Sequence, residues 1–450
     1  MSYVAKQLAL LCAKQLSKKL DPSIVNAAKR CLIDWFAATI AGSKEKQAVA
    51  LERTLSDELG TGSSWTMSGH RAPMRSAAFI NGLASHVVEF DDIYAPGTFH
   101  PGSATIAAAL SAATGLKRSG YELIRGVVAG YEVSNRVARA LGTQHYKKWH
   151  TTGTAGTIGA ASAVSKIFNL KDNQFAHALA ISTTMAAGLQ NAFRGVSEIK
   201  PLHAGNAADA GFVASGLARN GLQAAEDMFE AATGLGNVMS SDVDWVKAIG
   251  SENEFTILRT TIKNHGCCGH IFASLDGLLT LQREHKFQAS DVSEICIGGY
   301  SATIDVTGNY ICHDASSAKF CLPFVLASGL IHGSIRLDAY SQSRLSDPTV
   351  LDLMQKVEMF IDDEVDSLFP AQRSAKVWVK LKKGISLYRY QPDRVGDPDL
   401  PLSDGALNQK FMELTSHVLG ADVSKRLLLK LWKIDELLSL DEISECLIGD

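Results

Sequence analysis

The sequence predicts a mainly α-helical protein that carries a smaller α+β unit towards its C-terminal end. Apolar residues recur with helical spacing through residues 1–240 without a convincing strand, whereas alternating apolar and polar residues appear only beyond residue 255. From Asp404 the pattern is again that of amphipathic helices. A chain of 450 residues is also longer than one core usually supports. We therefore predict a large helical domain over residues 1–255, an α+β domain over 256–395, and C-terminal helices over 396–450 that return to the helical domain.

The stretch 21–42 illustrates how the helices are recognised. Asp21 is a favoured N-cap residue, and Pro22 suits a first helical turn, where its missing amide hydrogen has no partner to lose. An apolar stripe follows at helical spacing and ends at Gly42, a residue typical of helix C-termini. Frequent Ala and Gly residues allow such helices to pack closely. The same periodicity predicts further helices at residues 75–88, 104–116, 123–141, 156–168 and 173–189.

The α+β unit is predicted from alternation with a period of two. In residues 374–382, valines and a leucine alternate with Trp378 and Lys380, which is the pattern of a half-buried strand. A Lys383-Gly384 turn then leads into a hairpin partner. The other predicted elements of this unit are strands at 292–299, 356–361 and 385–391, and helices at 271–281 and 318–331.

Composition and charge exclude several classes of protein. A formal net charge of −3 does not provide the basic surface of a nucleic-acid-binding protein. The 8 cysteines are spread thinly without a CxxC motif or zinc-type spacing, which indicates reduced thiols rather than disulfides or an iron–sulfur site. Lysines interrupt the first 20 residues, and apolar runs fall short of the roughly 18 residues that a membrane span needs. We expect a cytoplasmic protein that binds neither nucleic acid nor membrane.

The first candidate site lies in residues 86–104, where imidazoles and carboxylates crowd around a Pro-Gly turn. Helical sequence on both sides predicts a loop held between two core helices. Carboxylates brought next to histidines in a low-dielectric setting displace pKa values, as acid–base chemistry requires. The ionisable residues of this stretch are His86, Glu89, Asp91, Asp92 and His100.

A second candidate site is residues 145–157. Thr151 or Thr152 can cap a following helix whose first-turn amides attract a carboxylate or phosphate, and His150 stands beside them. The ordinary alternative is a capped helix whose small residues serve packing alone. A nucleotide-binding loop is excluded, because no strand precedes the glycines and no Gly-Lys-Ser/Thr ending follows.

A third candidate site is residues 194–208, where Arg194, Lys200 and His203 come just before a helix of small residues. A lysine placed next to proline and ahead of Gly-Asn-Ala-Ala is hard to explain as part of a solvated face. The alternative is a lone surface lysine, which is the commonest environment of this residue type.

Two patterns that suggest metal ions are rejected. Cys267-Cys268-Gly269-His270 offers soft ligands, but adjacent cysteines seldom bind one ion and no second pair follows, so we predict a packed hinge with a polar edge. Asp91-Asp92 resembles the start of the magnesium motif DDxxD of helical isoprenoid synthases, but the fifth position is Ala95. We therefore predict no metal site.

Five motifs occur in a fixed order along nearly the whole chain. They are Glu89-Phe-Asp-Asp…His100-Pro, Gly130-Tyr-Glu…Arg136, Trp149-His150-Thr-Thr-Gly-Thr-Ala-Gly-Thr, Lys200-Pro-Leu-His203-Ala-Gly-Asn-Ala-Ala and Ala318-Lys-Phe-Cys-Leu-Pro. In this order and spacing they resemble the MmgE/PrpD family, which includes 2-methylcitrate dehydratase as well as decarboxylases and epimerases of small acids. The resemblance implies a helical domain formed by both chain ends, an inserted α+β lid, a homodimer, and a site between domain and lid without an iron–sulfur cluster.

The resemblance also implies the catalytic residues, position by position. The family's histidine before proline matches His100, the histidine that opens the Thr-Gly motif matches His150, and the family's lysine matches Lys200. A lid tyrosine before the Ala-Lys-Phe motif matches Tyr310, with the spacing shifted by about one residue.

This chain departs from the family pattern at the first candidate site. The family usually has Asp-Phe-Asp-Asp-Thr, whereas this chain has Glu89 and Ile93. The first carboxylate is therefore one methylene longer, and a hydroxyl at the edge of the site is missing. These two departures argue against a direct transfer of cis-aconitate decarboxylation or methylcitrate dehydration to this chain.

The predicted function is a cofactor-independent lyase that removes a proton next to a carboxylate of a small di- or tricarboxylate, with elimination. Lys200, Arg194 and a helix N-terminus would hold substrate carboxylates. Positive charge directed at the aci-carboxylate intermediate is the largest contribution, worth several kcal/mol. His100 or His150 would be the base, and the other histidine or Tyr310 the acid.

The remaining predicted site residues are expected to lie around the catalytic histidines and Lys200. The carboxylates among them are expected to fix histidine tautomers, and the others to line the substrate. Two alternatives stay open, namely proton transfer without elimination, as in an epimerase or isomerase, and a non-catalytic helical dimer that binds a metabolite or a partner. The remaining site residues are Glu89, Asp91, Asp92, Arg194, His203 and Thr152.

Overall fold

The chain forms two compact units, one built from residues up to Ile262 and from Asp404 onwards, and the other from Lys263–Ser403. The computed structural model describes residues 3–193, 197–312, 314–333 and 335–447. Helices make up 59% of the structure, which confirms the prediction of a mainly α protein. A lid arrangement of the second unit stays a prediction.

The N-terminal part of the first unit is a stack of helices whose small residues allow close packing. Its second helix begins after Asp21 and ends at Gly42, as the capping residues predicted. The helices are α1 (Val4–Gln15), α2 (Pro22–Gly42), α3 (Lys46–Thr54), α4 (Met74–Val87), α5 (Pro101–Gly115), α6 (Gly120–Tyr146), α7 (Thr151–Ile167), α8 (Asp172–Thr183), α9 (Leu202–Arg219), α10 (Leu235–Met239) and α11 (Trp245–Ile249).

Two of these helices, α5 and α7, are buried along almost their whole length. They consist largely of Ala, Gly, Ser and Thr, and they pack against each other and against α9. A helix that is buried on all sides belongs to the centre of a domain. The N-termini of α5, α7 and α9 therefore have fixed positions, and the candidate site is built on them.

Two details of the first unit differ from the predictions. A short antiparallel pair, β1 (Ser64–Trp65) and β2 (Arg71–Ala72), lies between α3 and α4. The sequence did not predict it, because strands of two residues are too short to show alternating apolar and polar residues. The helix predicted over residues 173–189 ends at Thr183. Beyond it, Gly188 adopts a φ of 141°, which no helix contains, and the next residue forms a bridge with the segment before α7.

The second unit contains the predicted sheet. Strands appear at each of the four predicted places, in the order β4-β3-β5-β6, with β3 parallel to β4 and the other neighbours antiparallel. Its elements are α12 (Phe272–His285), β3 (Val292–Gly299), α13 (Ser301–Thr307), α14 (Ala315–Ala318), α15 (Leu322–His332), α16 (Gln342–Leu345), α17 (Pro348–Met354), β4 (Val357–Ile361), α18 (Asp363–Leu368), β5 (Ala375–Leu381) and β6 (Ser386–Gln391).

The C-terminal part of the chain belongs to the first unit. It contains α19 (Asp404–Leu419), α20 (Ala421–Trp432) and α21 (Asp441–Ser444). Helix α19 packs on α2 and places the ammonium group of Lys410 2.5 Å from Asp34 Oδ1. Across the described part of the chain, helices fall short of the length and apolarity that crossing a membrane requires.

Candidate active site

The loop between α4 and α5 begins with a backbone conformation that is unusual for its residue type. After α4 ends, Glu89 has a φ of 61°, in the left-handed region that glycine normally occupies at this position. The Glu89 side chain is buried and forms an ion pair with Lys200. Because a glutamate is kept where glycine would be less strained, its carboxylate is a functional candidate.

Asp91 contacts two of the histidines, His86 and His100. Its Oδ2 atom lies 2.6 Å from His86 Nδ1 and 3.3 Å from His100 Nδ1, and it accepts a hydrogen bond of 2.6 Å from Ser103 Oγ. His86 and Asp91 are almost completely buried. A carboxylate that accepts the Nδ1 hydrogen of a histidine leaves the lone pair on Nε2.

Asp92 joins the loop to two helices. Its Oδ1 accepts a hydrogen bond of 2.9 Å from the amide of Gly102 in the first turn of α5, and its Oδ2 accepts one of 2.6 Å from Tyr131 of α6. Burial raises the pKa of Asp92 to about 7, and the neighbouring Asp34 and Asp91 act in the same direction against these donors. The carboxyl group is therefore partly protonated near neutral pH.

This displaced pKa makes stability depend on pH. An aspartate in an unfolded chain has a pKa of about 3.9, so between that value and about 7 the folded state binds more protons than the unfolded state. The free energy of unfolding is expected to fall as pH rises through this window, by up to about 1.4 kcal/mol per pH unit. Asp92→Asn, which resembles the protonated acid, should remove this dependence in urea unfolding from pH 4 to 8. The exposed Asp57→Asn is the control, and parallel curves for wild type and Asp92→Asn would contradict the assignment.

Three helix N-termini meet at the candidate site. His100 is the N-cap residue of α5 and His150 that of α7, while α9 starts immediately after the segment that carries Lys200. The backbone amide of His100 donates to Thr152 Oγ1 over 3.2 Å, so the starts of α5 and α7 touch. The first-turn amides and the dipoles of such helices favour negative charge.

Four histidine rings lie in a row at these helix ends. The ring centroids of His86 and His100 are 4.8 Å apart, those of His86 and His150 5.4 Å, and those of His150 and His203 5.2 Å. The Nδ1 atoms of His150 and His203 are separated by 3.0 Å, a hydrogen-bond distance. Buried His86 Nε2 has no hydrogen-bond partner within the described ranges.

Two of these histidines are held neutral. Burial, followed by the proximity of His86, Lys200, His100 and His203, lowers the pKa of His150 well below its usual value. Burial also lowers the pKa of His203 to about 4. Neutral imidazoles can accept protons, so the cluster combines proton acceptors with the positive field of an ammonium group and helix ends.

The group His86, Asp91 and His100 is the one cluster among the described residues with the spacing of a metal site, since its ligand atoms lie within 4.8 Å of one another. The short His86–Asp91 contact and the Ser103 hydrogen bond already occupy Asp91 Oδ2. This donor set fits a hydrogen-bonded acid–base group better than a metal centre. The absence of a metal ion stays a prediction.

Comparison with known proteins decides the family. The model of the MmgE/PrpD N-terminal domain matches residues 6–247, and that of the MmgE/PrpD C-terminal domain matches residues 265–434. The chain belongs to the MmgE/PrpD family.

Relatives with named activities are similar to this chain over most of its length. Cis-aconitate decarboxylase of Mus musculus is 25% identical over 455 residues, which cover 96% of this chain and 90% of the relative. The Homo sapiens enzyme of the same name is 25% identical over 448 residues, with 95% and 89% covered. Cis-aconitate decarboxylase of Aspergillus terreus is 23% identical over 459 residues, with 95% and 93% covered. The MmgE/PrpD resemblance seen in the five motifs is thereby confirmed.

Most of the predicted site residues of this MmgE/PrpD chain lie together. The ring and hydrogen-bond contacts above link the predicted histidines, the lysine, the carboxylates and Thr152 within the first unit. Arg194 lies outside the described residues. Tyr310 belongs to the second unit, where its hydroxyl donates to the carbonyl oxygen of Val357 over 2.5 Å. Catalytic roles for all of them stay predictions.

The sequence interpretation left several buried groups of this MmgE/PrpD protein without a role. His86 lies in the first candidate site, five residues before Asp91, but the sequence indicated no specific role for it. Tyr131 follows Gly130 in the second motif, yet nothing in the sequence indicated its contact with Asp92. The contact of Lys410 with the carbonyl oxygen of Phe90, 320 residues away in the chain, gave no sequence signal at all.

The Cys-Cys-Gly-His stretch lies in the second unit. Cys267 and Cys268 belong to its hydrophobic core. His270 Nδ1 lies 2.8 Å from the hydroxyl of Tyr300, and burial lowers the pKa of His270 to about 3. Since burial also raises the pKa of Tyr300, both groups stay neutral near pH 7 and their contact is a hydrogen bond between buried side chains.

Proposed function

We propose that this chain is a lyase that acts on a small di- or tricarboxylate and needs no cofactor. The observation that carries the proposal is the meeting of three helix N-termini, Lys200 and four imidazoles at one buried place in the first unit. Similarity to enzymes named cis-aconitate decarboxylase makes tricarboxylates of that kind the first candidates. A homodimer and a lid role for the second unit belong to the same proposal.

Substrate binding follows from the charges. A di- or tricarboxylate loses hydration when it is buried, and helix N-termini together with the Lys200 ammonium group replace that hydration. The same positive field opposes the charge that develops when a carbon next to a carboxylate becomes an aci-carboxylate. Since this charge is larger in the transition state than in the ground state, the field accelerates the reaction as well as binding the substrate.

Proton transfer is assigned to the histidines. His150 is the base, because its lowered pKa keeps it neutral and its Nδ1 is engaged by His203, so that the substrate proton goes to Nε2. His100, whose Nδ1 meets Asp91 and the carbonyl oxygen of Asp92, protonates the leaving hydroxyl group in a dehydration. In a decarboxylation, the same acid delivers a proton to carbon after CO₂ has left.

The ion pair between Glu89 and Lys200 predicts how substrate affinity is set. Glu89→Gln removes a negative charge beside the ammonium group, and we expect the KM for an anionic substrate to fall several-fold or more. Glu89→Asp is the matched control, because it keeps the charge and shortens the side chain by one methylene. Steady-state kinetics of both variants are the measurement. A raised KM in Glu89→Gln would show instead that the carboxylate itself binds the substrate.

The purified protein should be assayed against methylcitrate, citrate, cis-aconitate and iminodisuccinate. New unsaturation or CO₂ release supports the lyase. Incubation in heavy water distinguishes the epimerase alternative, since deuterium would enter next to a carboxylate without any new double bond. Binding of these acids in calorimetry without turnover would instead support the metabolite-binding dimer. Full activity after EDTA treatment is expected of a metal-independent enzyme.

A further inference from the structure

We propose that His203 is a positioning residue that fixes the protonation state of His150, rather than a residue that binds the substrate. The proposal rests on the function proposed above, in which His150 is the base. It is carried by one contact, the 3.0 Å separation between the Nδ1 atoms of the two rings. At that distance one ring donates its Nδ1 hydrogen to the Nδ1 lone pair of the other.

The position of the shared hydrogen decides whether Nε2 of His150 can accept a proton. When His150 donates it, the lone pair of His150 is on Nε2, where it can take the proton that leaves the substrate carbon. His150 is then an imidazolium whose Nδ1–H still points at the lone pair of His203. When the hydrogen is on His203 instead, His150 carries its hydrogen on Nε2 and accepts no proton there. No other bond changes in the pair, and the proton returns from Nε2 to product or solvent.

The backbone holds the two rings in contact. His150 caps α7 and donates its amide hydrogen to the carbonyl oxygen of Gly188 over 2.8 Å, while His203 lies in the first turn of α9. A Cβ atom at Gly188 would stand 3.3 Å from His203 Nδ1 and 3.4 Å from His150 Cβ, and the φ of 141° is one that other residues rarely adopt. The segment after α8 therefore packs closely against the pair, and a side chain at Gly188 would be strained.

The surroundings suit a neutral acceptor. The lowered pKa of His203 keeps its ring uncharged near neutral pH, so that its Nδ1 lone pair is available. A carboxylate in its place would stabilise the imidazolium form of His150 much more strongly. The charged or titratable side chains facing the pair are His86 of α4, His100 at the start of α5, and Lys200 with its partner Glu89.

Three substitutions separate positioning from substrate contact and from packing. His203→Asn keeps an acceptor oxygen near Nδ1 and should retain kcat within about tenfold, whereas His203→Leu should lower kcat about a hundredfold with KM nearly unchanged. His203→Asp should move the acidic limb of the kcat/KM profile to higher pH by one unit or more. Equal losses in His203→Asn and His203→Leu, or a raised KM with an unmoved pH profile, would overturn the proposal.

A measurement without substrate tests the pair independently of the reaction. Nitrogen-15 NMR of histidine side chains should show His150 with its hydrogen on Nδ1 in the wild-type protein and a shift towards the Nε2-protonated form in His203→Leu. The exposed His70→Leu serves as control. If the tautomer of His150 is the same with and without His203, the proposal fails. If the coupling is present but no acid is turned over, the proposed function fails instead.

Discussion

Replacing His150 with glutamine is expected to lower kcat by about a hundredfold or more while the protein stays folded. Glutamine has a similar volume and keeps hydrogen-bonding capacity at the start of α7, but it cannot accept a proton near neutral pH. His150 is 2% exposed and lies among three other imidazoles, so a water molecule or a base from solution cannot easily take its place. Steady-state kinetics, with circular dichroism to verify folding, are the measurement.

Lys200→Ala should lower kcat/KM by a factor similar to that expected for His150→Gln. Since the ammonium group acts on substrate charge, both kcat and KM are expected to change, whereas His150→Gln acts mainly on kcat. Lys46→Ala is a matched control, because Lys46 also pairs with a glutamate, Glu198, but both side chains are more than half exposed. Near-normal rates in His150→Gln and Lys200→Ala together would remove the assignment of this cluster as the active site.

Lys410→Met is expected to destabilise the protein by about 3–5 kcal/mol, because it leaves the buried carboxylate of Asp34 without its charged partner. The ammonium group of Lys410 also donates to the carbonyl oxygen of Phe90 over 3.0 Å, and Phe90 lies between Glu89 and Asp91. The free energy of unfolding in urea measures the effect. The exposed pair of Lys14 and Glu252 supplies the control, since Lys14→Met should change stability by less than about 1 kcal/mol.

A second substitution separates charge burial from packing. In the double variant Asp34→Leu with Lys410→Met both charges are gone, and most of the lost stability should return. If the double variant is as unstable as Lys410→Met, the methylene packing of Lys410 rather than its charge supports this part of the fold. A single variant as stable as the wild type would show that the buried ion pair contributes nothing to folding.

The sequence predicted elements whose signals are local. Asp21, Pro22 and Gly42 marked the ends of α2 from residue type alone, although the Asp21 side chain forms no capping hydrogen bond. Alternation marked β5 because it repeats over seven residues. The left-handed Glu89 could not be predicted, since a glutamate there is held by contacts elsewhere in the chain. The same applies to the residues beyond α8, where Gly188 has a φ of 141° and Leu189 forms a bridge with Trp149 instead of continuing the helix.

For the candidate site, sequence motifs identified chemical groups but not the contacts among them. His100, His150 and Lys200 were each recognised next to a predicted helix start, and three-dimensional packing of α5, α7 and α9 brings these starts together. The pairing of His150 with His203 depends on the angle at which two helices cross, which periodicity does not specify. The partners of Asp92 and Phe90 come from α6 and α19, at sequence distances that pattern recognition does not connect.

Three helix N-termini at the candidate site contribute positive charge that does not depend on side chains. The dipoles at the ends of α5, α7 and α9 come from peptide groups, which every residue of these helices contributes. A point mutation in residues 88–100 alters the shape or charge that meets the ligand, yet it leaves those backbone dipoles in place. In the proposed lyase, a few substitutions could thus exchange one acid for another, while the helix dipoles are inherited with the fold.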